Sequence, residues 1–339
     1  MSDQKEILLT IQFKAEQVAE LQQLAPGFRI HVHPLGEGQA IPDGLWGRAE
    51  ILYALRALPE PGEAPNLRWI QFHLAGVDDH LDAAILNRSD LQVTSLSGAN
   101  APQVAEHALA LMLALSHNLH RMLADQARSQ WSPERFERYL PAELIGSTVG
   151  IIGYGSIGQR LARLLQSCGV TILASKRDLM SPSRSGFQVD DQGDPNAELV
   201  HRLYPGKALR SMLKECDFVV VTVPLTAETR GMLGAEQLAA MKPSAMLVDV
   251  SRGRVVDHEA LVPALKKGLL AGAGLDVFPE EPLPADSPLW EEPNVIISPH
   301  VAGLSPQYTG RAFVLFKENL RRYLAGEELL NQIDLEKGY

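Results

Sequence analysis

Apolar and polar positions alternate along this chain in two successive series. In the first hundred residues the runs EILLTIQF, FRIHVHP, AEILYAL, LRWIQFHLAG and LQVTSLSG read as strands, and Ala15–Leu24 between the first two has helical spacing. That alternation predicts a small parallel α/β unit. From Ala101 the spacing predicts one long helix to about Arg128. A second series begins at Val149, where VGIIG, VTILAS, DFVVVTVP, AMLVDVS, AGAGLDVF and NVIISP supply six apolar strands, the number in a full dinucleotide-binding fold. The tail is helical, with Phe313, Leu315, Phe316, Leu320 and Tyr323 on its apolar positions, and is expected to return to the first domain. Ser181 to Gly206, rich in Ser, Pro, Gly and Asp, reads as a long surface excursion. The expected organisation is therefore discontinuous: residues 1–100 with 301–339 as one domain, and 101–300 as the other.

Composition narrows the classes. The 339 residues suit about two domains, and 45% hydrophobic with 21% charged residues fits a soluble globular protein. Lys plus Arg number 31 against 41 Asp plus Glu, a net charge of −10 with no lysine-rich tail, so the basic footprint of a nucleic-acid binder is missing. Cys168 and Cys216 are the only cysteines and lack metal-ligand spacing. They read as core thiols of a reducing cytoplasm, and no metal is expected. The start, MSDQKEILLTIQF, has no secretory pattern. The longest apolar stretch, VAEHALALMLALSHNL from Val104, carries Glu106, His107 and His117 and is shorter than the roughly 20 residues of a membrane span, so it reads as a buried helix.

Gly153, Gly155 and Gly158, in GYGSIG, follow an apolar strand and open a helix. In that context the first glycine permits the tight turn, the second lets the backbone approach a pyrophosphate, and the third lets the helix pack on the sheet. Glycines serve ordinary turns as well, so the flanking strand and helix carry the weight. An NAD-binding turn usually has an acid about 20 residues on, for a ribose hydroxyl. Here Ser175, Lys176 and Arg177 stand there, Lys176 being 23 residues after Gly153. Two cations and a hydroxyl can hold a 2′-phosphate that an acid would repel, so NADP(H) is the preferred cofactor, with NAD(H) possible. The bland alternative is a solvated pair of charges at a strand end.

Three strand-end loops carry further chemistry. Arg252, in LVDVSRGRVVD, can grip a carboxylate through two parallel hydrogen bonds. His300, in NVIISPHVAG, can donate a proton to a carbonyl oxygen, and Glu281, in LDVFPEEPLP, could hold that imidazole in one tautomer and favour its protonated form. Singly, each is as readily a salt bridge, a surface acid or a structural histidine. Together at one sheet edge they form a carboxylate clamp, an acid and its orienter.

With VAEHALALMLAL, GSTVGIIGYGSIGQRLARLL, VPLTAETRGMLG, MKPSAMLVDVSRGRVVD, GAGLDVFPEEPLP and SPHVAG in that order, the chain resembles the D-isomer-specific 2-hydroxyacid dehydrogenases over nearly its whole length. The resemblance implies an α/β protein of two Rossmann-like, doubly wound parallel-sheet domains, the first a flavodoxin-like substrate-binding domain, with the active site in the cleft between them. It implies that Arg252 binds the substrate, that His300 is the acid/base and that Glu281 is its partner. Cofactor contacts are implied at Gly153, Tyr154, Gly155, Ser156, Ile157, Gly158, Ser175, Lys176, Arg177, Val223, Pro224, Thr229, Val250, Ser251, Asp276 and His300, with Asp276 holding the nicotinamide carboxamide. Substrate contacts are implied at Leu74, Ala75, Gly76, Arg252 and His300. The family is commonly dimeric, which makes Ala101 to Arg128 the interface candidate of a homodimer.

The expected activity is a cytoplasmic 2-ketoacid reductase acting on a small acid such as glyoxylate or hydroxypyruvate. Three departures stand out: Asp249 where the family usually has Asn, Ser116-His117 in place of an Arg late in the helix, and the long excursion after the second strand of the second series. The rivals are an NAD(H)-sensing, corepressor-like binding protein on the same fold, a phosphite- or formate-type dehydrogenase, and a binder of S-adenosylmethionine. The last would leave Lys176 and Arg177 without a 2′-phosphate.

Overall fold

The computed structural model describes residues 5–35, 40–179, 186–190 and 193–338. In chain order its elements are β1 (Lys5–Leu9), α1 (Ala15–Leu24), β2 (Phe28–Val32), α2 (Leu45–Arg48), β3 (Ala49–Ala54), β4 (Trp69–Phe72) and β5 (Gln92–Thr94). Next come α3 (Ala101–Ser116), α4 (Leu119–Ala127), α5 (Arg135–Arg138), β6 (Thr148–Ile152), α6 (Ser156–Gln166), β7 (Thr171–Lys176), β8 (Arg202–Pro205) and α7 (Leu209–Leu213). The remainder is β9 (Phe218–Val221), α8 (Ala235–Leu238), β10 (Met246–Asp249), α9 (His258–Lys266), β11 (Gly272–Leu275), β12 (Val295–Ile297) and α10 (Tyr308–Ala325). The chain divides into two compact units, Met1–Asn100 with Ser185–Val189 and Ser305–Tyr339, and Ala101–Arg184 with Asp190–Leu304.

The first unit is built on a parallel sheet in the order β2-β1-β3-β4-β5. Its β1, β3 and β4 are buried along nearly their whole length because helices and loops cover both faces, the usual condition of a parallel sheet. α10 lays Phe313, Phe316 and Leu320 against Ile7, Leu9, Phe13, Tyr53 and Trp69. Edge-on ring contacts at 5.1 Å (Phe13 to Tyr53) and 4.7 Å (Tyr53 to Phe316) fix the packing, each contributing about 0.5–1.5 kcal/mol beyond area burial. The one polar side chain that α10 buries fully, Asn319, bonds Gln71 Oε1 and the Leu330 carbonyl, both at 3.1 Å.

The second unit is a seven-stranded parallel sheet, β12-β11-β10-β9-β6-β7-β8. Strand order reverses between β6 and β9, and α/β sheets bind ligands at such a switch point, outside the carboxyl ends of the strands. α3 and α6 share a core in which Ala105, Ala108 and Met112 meet Leu161, Ala162 and Leu165 over Val149, Ile151 and Val248.

The structure differs from the sequence reading in three places. The helix expected from Ala101 to Arg128 breaks at Asn118, which adopts φ 54° and donates from Nδ2 to the Leu140 carbonyl at 3.1 Å. Asparagine tolerates that left-handed conformation better than most residues. The sheet has a seventh strand, β8, inside the segment read as a surface excursion, and Tyr204 on it is 4% exposed. The excursion is also anchored at Asp194, 5% exposed, and at Phe187, whose amide donates to Asn331 Oδ1 at 3.0 Å. Its residues 181–185 and 191–192 lie outside the described residues. Among the described residues no helix is long and apolar enough to cross a membrane, and no group of three or more His, Cys, Asp or Glu could hold a metal ion.

Candidate active site

The glycine turn joins β6 to α6. Gly153 has φ +98°, and a Cβ on it would lie 2.7 Å from Val223 Cγ1. A Cβ on Gly158 would lie 2.4 Å from the Gly153 carbonyl oxygen, so this glycine sets the close approach of α6 to the turn. A Cβ on Gly155 would meet no atom within 4 Å. Gly155 is the N-cap of α6 and supplies no side-chain cap, which leaves the first amides, those of Ser156 and Ile157 among them, available to an anion. That combination fits a dinucleotide pyrophosphate.

Tyr154 points into the protein. Its hydroxyl donates to Asp194 Oδ2 at 2.5 Å, and burial together with that carboxylate holds the phenol well above its ordinary range. Asp194 also accepts the amides of Glu198 (2.8 Å) and Leu199 (3.0 Å), while its own amide donates to Gln159 Oε1 at 2.9 Å. The excursion is thereby tied to the glycine turn and to α6.

At the end of β7, Ser175 is buried and its carbonyl accepts the Gly153 amide at 3.0 Å. Lys176 is half-buried, and desolvation draws its ammonium below the ordinary lysine range while Asp178 opposes the shift. Arg177 pairs with Glu228 at 3.1 Å, both side chains well exposed. Such a pair is worth at most about 1 kcal/mol and yields readily to a stronger anion. Beyond β9, Val223 is half-buried and Pro224 exposed, and Thr229 Oγ1 donates to the Pro224 carbonyl at 2.7 Å.

The catalytic candidates come from the carboxyl ends of three adjacent strands. Arg252 follows β10 after the buried Val250 and Ser251, and its Nη1 donates to the Ser251 carbonyl at 2.9 Å. Glu281, from the loop after β11, accepts the Phe278 amide on Oε1 at 2.9 Å and lies 2.7 Å from His300 Nδ1 through Oε2. His300 follows β12, nearly half exposed, with Nε2 as the ring nitrogen that Glu281 does not engage. The Arg252 and Glu281 loops are locked together at Gly253, where a Cβ would lie 1.9 Å from both the carbonyl carbon and oxygen of Phe278.

His300 has φ 52°, a left-handed conformation costing a non-glycine residue about 1–2 kcal/mol. It is held there by its amide, which donates to the carbonyls of Asp276 (2.9 Å) and Ser298 (3.0 Å). The Asp276 carboxylate, 1% exposed, braces the same loop: Oδ1 accepts Ser298 Oγ (2.6 Å) and the Val301 amide (3.0 Å), and Oδ2 accepts the Ala302 amide (3.0 Å). His107 of α3 closes the cluster, with Nε2 2.9 Å from Ser298 Oγ.

Leu74, Ala75 and Gly76 follow β4 in the first unit and are half-buried. Next to them His73, pushed down to about 4 by burial, is neutral at pH 7 and its Nδ1 shares a 2.6 Å hydrogen bond with Tyr53 Oη. Sequence reasoning missed Asp194, His107, Ser298 and Gly253. The first three act through partners distant in sequence, and only Gly253, beside the candidate arginine in SRGR, had a local signal.

A family model for the NAD-binding domain of D-isomer specific 2-hydroxyacid dehydrogenases matches residues 109–302. The glyoxylate reductase of Korarchaeum cryptofilum is 36% identical over 276 residues, covering 79% of this chain and 77% of that protein. That of Pyrococcus furiosus is 36% identical over 273 residues, covering 78% and 75%. Among solved structures, a D-isomer specific 2-hydroxyacid dehydrogenase from Xanthobacter autotrophicus in complex with NADPH and MES superposes with a TM-score of 0.79 at 30% identity, covering 99% of this chain and 100% of that one. An NADPH-dependent glyoxylate/hydroxypyruvate reductase from Sinorhizobium meliloti in complex with NADP and sulfate gives 0.77 at 25% identity, covering 99% and 100%.

Proposed function

Because the chain belongs to the D-isomer-specific 2-hydroxyacid dehydrogenase family, whose members are nicotinamide-dependent oxidoreductases, we propose that it reduces a small 2-keto acid, glyoxylate or hydroxypyruvate, with NADP(H) preferred over NAD(H). The observation that carries this reading is the 2.7 Å contact of Glu281 with His300 Nδ1, on a loop locked by Gly253 to the one bearing Arg252. The bound nicotinamide supplies a hydride for the carbonyl carbon. Glu281 fixes the tautomer and the facing of the imidazole, so His300 holds its transferable proton at Nε2 and delivers it to the carbonyl oxygen. Arg252 grips the substrate carboxylate and polarises the carbonyl. Leu74, Ala75 and Gly76 offer backbone amides to the same carboxylate.

Gly153 to Gly158 receive the pyrophosphate, and Ser175, Lys176 and Arg177 the 2′-phosphate, for which Arg177 exchanges Glu228. Val223, Pro224, Thr229, Val250 and Ser251 line the rest of the cofactor's path. Asp276 Oδ2, with one bond from Ala302, keeps acceptor capacity for the carboxamide. NADPH-dependent relatives support the cofactor preference and glyoxylate reductases the substrate. A homodimer is part of the reading, supported by the exposed Leu119, Leu123, Trp131, Phe136, Leu140 and Ile145 on and after α4. So is a cytoplasmic setting, supported by two unpaired cysteines.

The test follows NADPH and NADH consumption in parallel with glyoxylate, hydroxypyruvate, pyruvate and a bulkier 2-keto acid. Faster turnover of the two small acids with NADPH is expected. A preference for NADH would overturn the role of Lys176 and Arg177, and no turnover of any of the four would overturn the substrate class.

A further inference from the structure

Asp249 ends β10 directly beneath the turn that presents Arg252, and none of its surface is exposed. Oδ1 accepts both the amide (3.0 Å) and the hydroxyl (2.5 Å) of Ser251, and the Ser251 carbonyl accepts Arg252 Nη1 at 2.9 Å. Asp249 thus shapes the turn through a residue adjacent to the arginine. Oδ2 is fully buried and has no hydrogen-bond partner among the described residues. A bare oxygen suits an acid that keeps its proton, because burying an ionised carboxylate with half its acceptors unmet is costly.

The surrounding charges point the same way. From β11, Asp276 faces Asp249 with a second buried carboxyl group, and its amide bonds the Asp249 carbonyl at 3.0 Å. His107 from α3 and Ser298 after β12 contact Asp276 on its Oδ1 side. β9, on the other flank, pairs Val221 with Asp249 and carries no titratable group. Arg252 is the cation of the cluster. Burial first and the Asp276 charge after it push the Asp249 carboxyl up to about 7, against the Ser251 donors and Arg252.

We propose that Asp249 is a proton-bearing positioning residue for substrate binding: neutral, it shapes the Ser251 turn and leaves the Arg252 charge to the substrate carboxylate, and ionised, it competes with that carboxylate for Arg252. This rests on the reading that Arg252 grips the substrate. Ketoacid affinity should then fall as pH rises through neutrality while the hydride and proton steps at His300 keep their own profile.

The test compares wild type with Asp249→Asn, which keeps the Oδ1 acceptor and cannot ionise. With saturating NADPH, the wild-type KM for the 2-keto acid should rise roughly three- to tenfold between pH 6 and 8.5, the size expected from one partly screened charge. D249N should flatten that rise, with kcat less affected than KM. Melting temperatures of the two proteins without substrate give a second readout. A carboxyl raised above its unfolded value of about 4 keeps a proton that the unfolded chain releases, so wild type loses stability from about pH 4 to about pH 7 and no further above it. The melting advantage of D249N should grow across that window and then level. A KM rise parallel in both proteins, or a melting difference independent of pH, overturns the proposal. Arg252→Ala separates the failures: an unchanged KM there removes the clamp itself, whereas a raised KM with parallel D249N and wild-type profiles removes only the role of Asp249.

Discussion

A Cβ added at Gly253 would lie 1.9 Å from the Phe278 backbone, whereas one added at Gly155 would meet nothing within 4 Å. Both glycines sit in loops at the carboxyl edge of the same sheet, yet they serve opposite needs. Around Gly253 the chain presses against itself, so Arg252, Glu281 and His300 are braced by Ser251, Phe278 and Asp276 without any ligand. Around Gly155 the chain stands clear of itself and leaves helix amides open. Catalytic groups must be preset before the substrate arrives, because a misplacement of about 1 Å can cost a hundredfold in rate. A cofactor brings its own shape and charge, and there the protein needs amides and room.

The largest expected effects fall on the braced side. His300→Ala should lower kcat roughly 100- to 10,000-fold while NADPH affinity, measured by fluorescence titration, stays near wild type. Full turnover in that variant would remove the proton-transfer role. Gly253→Ala forces the Phe278 backbone to move, which displaces the Glu281 and Arg252 loops together. Steady-state kinetics should show kcat/KM down at least about a hundredfold, with kcat and KM both affected. A near-normal kcat/KM would show that the two loops do not need each other.

Legibility follows the same division. Most strands are readable because they are short apolar runs, buried on both faces inside the sheets and half-buried at the edges, and Arg252 and His300 because each follows an apolar run. β8, RLYP, escapes because it is a four-residue edge strand beginning with an exposed arginine and ending in proline. The break at Asn118 escapes because α4 resumes with the apolar Leu119, so the helical spacing reads through it. Asp194 and Ser298 carry no local pattern: one is an acid in a polar segment and the other a serine before Pro299, and only long-range folding brings Tyr154 and Asp276 to them. The sequence likewise shows Asp249 as an aspartate after an apolar run, and only its burial reveals an unpaired oxygen.

On the open side a smaller effect is expected, and of a different kind. Gly155→Ala has nothing to collide with, so the free protein should melt as wild type does. The added methyl keeps the backbone from a pyrophosphate, weakening about two hydrogen bonds to a charged group, so NADPH affinity should fall roughly a hundredfold, or about 3 kcal/mol. An equal loss of melting temperature at Gly155 and at Gly253 would erase the contrast between the two loops.

Tyr154, beside Gly155, sharpens the contrast to one residue with the smallest expected change. Its hydroxyl reaches Asp194 rather than the open side of the turn, which makes it a brace inside the glycine turn. Tyr154→Phe removes one of the three donors to a carboxylate that keeps the Glu198 and Leu199 amides. The loss should therefore be near the low end for a hydrogen bond to a charged group, about 1.5 kcal/mol, seen as a drop of a few degrees in melting temperature with NADPH affinity nearly retained. If Y154F instead melts as wild type and binds NADPH much more weakly, Tyr154 contacts the cofactor. Bracing would then belong to the Arg252–His300 edge alone.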